Sequence, residues 1–114
     1  MPTSLLDLER SDSNNADLAV VGINGKLSLE TVHGFASTMR EEPAQVLVFD
    51  MSRCSFLDSA GVGALVSLFV SRRNHGKRLA LAALTQQGNA VMQVSGLIKL
   101  LPLYATVDEA VAAK

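Results

Sequence analysis

The sequence predicts a single α/β domain, residues 1–114, with a mixed, mostly parallel sheet, an N-terminal hairpin and about four helices in the order ββαβαβαβα. Strand-like apolar runs alternate with segments of helical periodicity from residue 28 onward. Such alternation implies parallel strands joined by right-handed crossovers. The chain has 114 residues, 48% of them hydrophobic, which is enough to bury one core and too little for two.

Two short apolar segments near the N-terminus predict an antiparallel pair of strands. Leu5 to Glu9 and Leu18 to Ile23 have strand character, and the polar segment RSDSNNAD, residues 10–17, separates them. The next strand, QVLVFDM at residues 45–51, is a continuous apolar run that ends at Asp50. Runs of this kind are typical of strands buried on both faces of a parallel sheet.

Two longer segments have helical periodicity. The first begins at Ser28, an N-cap candidate, and ends at Pro43. Its apolar face consists of Val32, Phe35 and Met39. The second helix carries a wide apolar stripe that we expect to face the sheet, and Asn74 and Gly76 mark its end. This stripe consists of Val62, Leu65, Val66, Phe69 and Val70.

The C-terminal third of the chain completes the alternation. RLALAAL, residues 78–84, predicts a strand, and QQGNAVMQVSG, residues 86–96, predicts a short helix stopped by its last glycine. KLLPLYA, residues 99–105, predicts an edge strand because an edge tolerates its proline. VDEAVAAK, residues 107–114, predicts a terminal helix.

Charge and composition exclude several classes of function. The net charge is -1, from 10 basic and 11 acidic residues, so no overall field attracts nucleic acid or an anionic membrane. The N-terminus does not resemble a signal peptide, and the longest apolar stretch, 61–70, is about half of a bilayer span. We therefore expect a soluble cytoplasmic protein without direct membrane insertion. The single cysteine, Cys54, excludes an internal disulfide and is expected to be a small buried hydrophobe.

The segment CSFLDSAGVG, residues 54–63, follows the buried strand, where parallel sheets commonly bind ligands. A nucleophilic serine is a poor interpretation, because Leu57 replaces the first glycine of the G-x-S-x-G motif. The nearest downstream base, His75, lies sixteen residues from Ser59, roughly 24 Å along one helix. Paired carboxylates, a phosphate-binding loop and metal-spaced ligands are also missing from the sequence. We expect no catalytic residue, cofactor or metal, and therefore no enzyme.

Two further interpretations fail because the neighbouring residues that each requires are missing. Asp50 ends a strand as a phosphoacceptor aspartate does, but the acidic pair that would hold Mg²⁺ is missing, so Asp50 is expected to cap loop amides. The basic segment at residues 72–78 could be interpreted as a nucleic acid-binding patch, but it contains no aromatic residue, the kind of side chain that stacks on nucleic acid bases. Its basic residues are expected to be a solvated helix end that complements the helix dipole, with no nucleic acid partner.

Ser59 is left with two interpretations. Asp58 or Ser59 could simply be the N-cap that satisfies the free amides of the second helix. Alternatively, the helix offers a binding face beside Ser59. Gly61, Ala64 and Leu68 form a line roughly 120° from the sheet-facing stripe, and we expect the sheet to leave this line uncovered.

Residues 46–84 and 95–111 resemble the STAS domain of the anti-sigma factor antagonists. The D-S-x-G-[LV]-G loop of that family is matched by residues 58–63, its early G-x-L turn by residues 25–27, and its S-G-L segment by residues 95–97. The chain departs from the family at Ser28, where the family often has an acidic residue. The resemblance implies a single STAS-like domain over residues 1–114.

The resemblance further implies a partner switch. An unmodified antagonist binds an anti-sigma factor with serine kinase activity and so releases the sigma factor for transcription. Phosphorylation of Ser59 would break this complex, and a PP2C-type phosphatase would restore it. ATP and Mg²⁺ belong to the kinase, so the antagonist itself needs no cofactor. We also allow for a weak homodimer.

The predicted partner surface combines the loop before Ser59 with the apolar line after it. Its residues are Arg53, Ser55, Phe56, Leu57, Asp58, Gly61, Ala64 and Leu68. STAS domains also serve as cytoplasmic accessory subunits of lipid ABC transporters and as scaffolds of signalling assemblies, and these remain alternative functions. A carrier of small molecules, with a pocket at the strand ends, is a third.

Overall fold

The computed structural model describes residues 5–11 and 16–113, which form a small α/β domain with six strands and four helices. The strands are β1 (Leu6–Ser11), β2 (Leu18–Leu27), β3 (Val46–Asp50), β4 (Cys54–Leu57), β5 (Arg78–Ala82) and β6 (Leu103–Tyr104). The helices are α1 (Val32–Met39), α2 (Ser59–Asn74), α3 (Gln86–Ser95) and α4 (Val107–Ala112), and a 3₁₀ turn covers Leu97–Lys99. In the described residues, no helix is long and apolar enough to cross a membrane.

The sheet has the order β1-β2-β3-β5-β6, with β4 beside the C-terminal part of β2. β1 and β2 are antiparallel, and all the other pairs are parallel. The predicted hairpin and the predicted mostly parallel sheet are therefore confirmed. Part of the predicted turn, residues 12–15, lies outside the described residues.

The central strand β3 carries the core on both of its faces. Leu47 and Phe49 are fully buried and belong to the larger apolar cluster, in which the ring centroids of Phe49 and Phe35 lie 5.4 Å apart. Val48 points to the other face and packs in a smaller cluster with Ala110 of α4. This two-sided burial explains why the sequence of β3 is continuously apolar.

The strand β4 was not predicted, since the segment before Ser59 was expected to be a loop. β2 extends past its pairing with β3, which ends at Gly22 opposite Asp50. The free part of β2, Gly25–Leu27, then pairs with β4. Cys54 opens β4 and is 3% exposed, as predicted, and burial raises the pKa of its thiol. The observed order is ββαββαβαβα.

The first helix is shorter than predicted at both ends. Thr31, and not Ser28, is its N-cap residue, and the helix ends at Met39. The Thr31 hydroxyl accepts a hydrogen bond from the Ser28 amide at 3.0 Å, which holds the preceding turn. After the helix, Glu42 is buried and accepts bonds from Arg10 at 2.8 and 3.3 Å and from the Ala44 amide at 3.0 Å.

Arg72 corrects the expectation that residues 72–78 are a solvated helix end. Its side chain is buried, and its guanidinium donates to the carbonyl oxygens of Arg78, Glu42 and Ala44. These bonds tie the last turn of α2 to the start of β5 and to the segment before β3. The other basic residues of this segment, Arg73, Lys77 and Arg78, are exposed or half-buried.

Candidate functional site

Ser59 is the first residue of α2 and follows β4 directly through Asp58. Asp58 is the N-cap: its Oδ1 accepts a hydrogen bond from the Gly61 amide at 2.8 Å. The Ser59 side chain is exposed and makes no hydrogen bond with a described residue. Of the two capping candidates, Asp58 therefore caps the helix, and the Ser59 hydroxyl is available to other molecules.

The second carboxylate oxygen of Asp58 joins α2 to the segment that precedes α1. Its Oδ2 accepts from the Leu29 amide at 3.1 Å, so one side chain fixes both the helix start and the neighbouring turn. The side chain of Leu29 itself is 75% exposed. The sequence prediction missed Leu29, although an apolar residue between the predicted strand and helix was a signal for it.

Gln87 of α3 holds the strand that leads to Ser59. Its Oε1 accepts from the Leu57 amide at 3.0 Å, and its Nε2 donates to the Leu57 carbonyl oxygen at 2.8 Å. The Leu57 amide and carbonyl lie on the edge of β4 that faces away from β2. The Gln87 side-chain amide has both a donor and an acceptor, so it pairs these groups as a neighbouring strand would. Together with the Asp58 amide bond to the Leu27 carbonyl oxygen, at 3.3 Å, they fix the backbone just before Ser59. Nothing in the local sequence around Gln87 indicated this contact.

Only part of the predicted partner surface is accessible. Arg53, Ser55 and Phe56 are exposed, Phe56 to 41%, while Asp58 and Ala64 are half-buried. Leu57 is 1% exposed and packs in the core. Phe56 lies beside Lys26 of β2, its paired neighbour in the sheet.

The predicted open line of Gly61, Ala64 and Leu68 is wrong for two of its three residues. Gly61 lies against the end of β2, where a Cβ atom would be 2.3 Å from the Leu27 carbonyl oxygen. Leu68 is 6% exposed and belongs to the main core. Ala64 is the half-buried member of the three, and it lines a small groove between α1 and α2 together with Ala36, Ser67 and the edge of Leu68.

The accessible face of α2 is formed by small and polar residues instead. Ser59, Gly63 and Ser67 are exposed at intervals of four residues, and Ala60 and Ala64 beside them are half-buried. Such a face allows the close approach of another backbone. It begins at the Ser59 hydroxyl.

Among the described residues, the surroundings of Ser59 include neither a catalytic triad nor a metal cluster. His75 lies at the far end of α2, where its Nδ1 is 2.8 Å from the Ser71 carbonyl oxygen. Asp50 accepts from the Ser52 amide at 3.0 Å, which confirms its predicted capping role. In the part of the chain that the structure describes, no three His, Cys, Asp or Glu side chains are grouped as a metal site. The geometry leaves the Ser59 hydroxyl accessible for covalent modification or for contact with another protein.

Comparison with known proteins gives one family match and several structural matches. A family model described as the STAS domain matches residues 7–110. An anti-sigma factor antagonist from Mycobacterium paratuberculosis is 22% identical, with a TM-score of 0.80 over 93% of this chain and 91% of the other. The phosphorylated form of SpoIIAA, a Bacillus cell fate determinant, is 22% identical, with a TM-score of 0.67 over 93% and 96%. A sulfate transporter family protein from Wolinella succinogenes is 21% identical, with a TM-score of 0.75 over 89% and 87%.

Proposed function

Because the chain belongs to the STAS domain family, we propose that it is an anti-sigma factor antagonist that works as a phosphorylation-controlled partner switch. Without phosphate, it binds an anti-sigma factor that is also a serine kinase, and a sigma factor is freed for transcription. Phosphorylation of Ser59 ends this binding, and a PP2C-type phosphatase reverses the modification. ATP and Mg²⁺ belong to the kinase. The antagonist acts by binding, without catalysis, in the cytoplasm.

The observation that carries this proposal is the Ser59 hydroxyl, which is exposed at the start of a 16-residue helix and makes no hydrogen bond with a described residue. Asp58 occupies the capping position, so the fold does not use the serine. A kinase can reach the hydroxyl, since Ala60 and Gly63 on the same side of the helix are small. A phosphate adds about -1.5 to -2 charge there, which is a large change for a chain whose net charge is -1.

The proposed partner surface is the exposed part of the predicted one, extended by Leu29. Phe56 and Leu29 supply apolar anchors beside Ser59, and Ala64 with Ser67 continues the surface along α2. Aromatic and apolar residues in the centre of an interface contribute most of the binding free energy, while the surrounding polar residues exclude water. A dianion at Ser59 would lie at this centre, where burial without a cation is unfavourable by several kcal/mol.

Phosphate mapping tests the site directly. The purified protein is incubated with ATP and with each candidate serine kinase from the same genome, and the modified residue is located by mass spectrometry. We expect one phosphate, on Ser59, and none on Ser59→Ala. Ser71→Ala, an exposed serine three turns further along the same helix and outside the proposed partner surface, is the matched control and should be labelled like the wild type. Equal labelling of Ser59→Ala and wild type would overturn the assignment.

A second candidate is a subunit or domain of a transport system. The specific observation that favours it is the structural match to a sulfate transporter family protein. STAS accessory subunits of lipid ABC transporters and scaffolds of signalling assemblies belong to the same alternative. Gene neighbourhood separates the two candidates: kinase and sigma factor genes support the switch, and transporter genes support the alternative.

A further inference from the structure

A cavity of about 220 Å³ lies at the edge of β5, at the end of α2 remote from Ser59. It exists because β6 is only two residues long and pairs with Leu81 and Ala82 alone. The first half of β5, residues 78–80, therefore has no neighbouring strand on this side among the described residues. Pro102 and the last turn of α4 close the cavity from two directions.

The lining of this cavity combines an apolar floor with a basic rim. The floor is formed by Val46, Phe69, Leu79, Ala80, Pro102 and Ala110. The cations of the rim are Arg73, Lys77 and Arg78, and the Arg73 guanidinium lies 5.6 Å from the centre of the Phe69 ring. None of these three cations forms an ion pair with a described residue, and the described lining includes no Asp or Glu.

The edge of β5 also directs a backbone donor into this space. On this side of β5, the Leu81 amide bonds to the Pro102 carbonyl oxygen and the Ala83 amide to the Tyr104 carbonyl oxygen. Amides alternate along a strand, so the Leu79 amide points the same way. It has no acceptor among the described residues, although Leu79 is only 3% exposed. Buried amides are almost always paired, so this donor favours a ligand with an acceptor oxygen.

We propose that this cavity binds a small amphipathic anion, a monocarboxylate with a short hydrocarbon chain. The basic rim, with no Asp or Glu in its described lining, selects a negative charge, and the apolar floor selects the chain. At roughly 30 Å³ for each water-sized group, the volume accommodates about seven such groups, which corresponds to a chain of about six to eight carbons. The site is separate from Ser59, so the proposal does not depend on the partner switch.

An NMR titration of the full chain with octanoate tests this site. We expect saturable shifts of the Leu79, Ala80 and Tyr104 amides, with a Kd near or below about 1 mM, as a ligand of this size allows. Octylamine has the same chain with a cationic head and should give no saturable shift at these amides. Equal binding of octanoate and octylamine would contradict the proposal, as would octanoate shifts that avoid this end of the molecule.

Charge variants supply the second arm of the test. The double variant Lys77→Gln/Arg78→Gln should weaken octanoate binding at least tenfold. Arg40→Gln/Lys99→Gln removes two exposed cations outside the cavity and should leave the affinity unchanged. Ala113→Phe places a ring at the mouth of the cavity, near the chain end, and should also prevent binding in a folded protein. If the first double variant binds octanoate as tightly as the wild type, the site is not the one proposed.

Discussion

The side chain of Asp58 separates the folding role of the loop from its proposed signalling role. Its two oxygens bind amides of Gly61 and Leu29, so the helix start and the adjacent turn are held without help from Ser59. Loss of a good N-cap residue costs about 1 kcal/mol in typical helices. A serine that does not cap can be modified without that cost.

Glu42 is a second residue whose chemistry can be tested alone. The hydrogen bond from Arg10 holds the pKa of this carboxyl below its usual value of 4.5, with a further contribution from the Ala44 amide, although burial opposes the shift. A lowered pKa in the folded state means that the ionised carboxylate stabilises the protein above pH about 4.5. This contribution is lost as the pH falls through the folded-state pKa.

We therefore predict that Glu42→Gln lowers the free energy of unfolding at pH 7 by about 1 to 2 kcal/mol, as expected for lost charge-assisted hydrogen bonds. The deficit relative to wild type should shrink as the pH is lowered from 5 towards 3. Urea denaturation at several pH values measures it. Glu41→Gln, at the exposed neighbouring position, should follow the wild type throughout. A deficit that stays constant from pH 7 to pH 3 would show that the ion pair is not its cause.

At the scale of elements, α2 has two faces with different tasks. The buried stripe is rotated from the predicted one and consists of Gly61, Val62, Leu65, Leu68 and Arg72. The predicted members Val66, Phe69 and Val70 are only half-buried. The opposite face begins at Ser59, and Ala64 lies at the border between the two.

Ala64→Arg tests whether this border belongs to the partner surface. The substitution places a bulky cation in the groove between α1 and α2, and we expect it to weaken binding of the anti-sigma factor at least tenfold, about 1.4 kcal/mol. Ala64 is half-exposed, so the fold should tolerate the change. Isothermal titration with the purified kinase measures the affinity.

Asn74→Arg is the matched control for this variant. It adds the same charge to the exposed end of α2, roughly 15 Å further along the helix, and should bind like the wild type. An unchanged affinity of folded Ala64→Arg would place the footprint elsewhere, on the Phe56 side of Ser59.

At the scale of the whole molecule, the sequence was sufficient for the fold class and for the location of the loop. Three features were predictable because they depend only on local sequence pattern and composition. They are the buried run at β3, the alternation of strands and helices after it, and the glycine at the end of α3. Gly96 indeed ends α3 in the left-handed conformation, at a φ of 75°. The position of Ser59 at a helix start was predictable for the same reason.

The contacts between elements were not predictable in this way. Leu68 has the same helical spacing whether or not α1 covers it, so periodicity alone left it exposed. The four residues of β4 have a buried, exposed, exposed, buried pattern that does not alternate like an ordinary strand. Gln87 acts on Leu57 across thirty residues of sequence, and only the fold brings them together.

We propose that phosphorylation of Ser59 changes the interface and leaves the fold intact. The Ser59 and Ala60 amides have no acceptor among the described residues, so a phosphate on Ser59 would meet free donors at the positive end of α2. This placement favours an anion by about 0.3–1 kcal/mol at an exposed site. Repulsion from Asp58 opposes it and is screened over about 8–10 Å in physiological salt. The two local effects should nearly cancel.

The most direct test compares the protein with and without phosphate on Ser59, by thermal melting and by titration with the anti-sigma factor. We predict melting temperatures that agree within about 2 °C, because a net local effect of a few tenths of a kcal/mol moves the midpoint little in a domain of this size. Binding should be lost in the phosphorylated form, because the unfavourable free energy of burying a dianion without a cation exceeds the binding free energy that a micromolar complex can lose and still form. Retained binding, or a melting temperature lower by many degrees, would contradict the proposed switch.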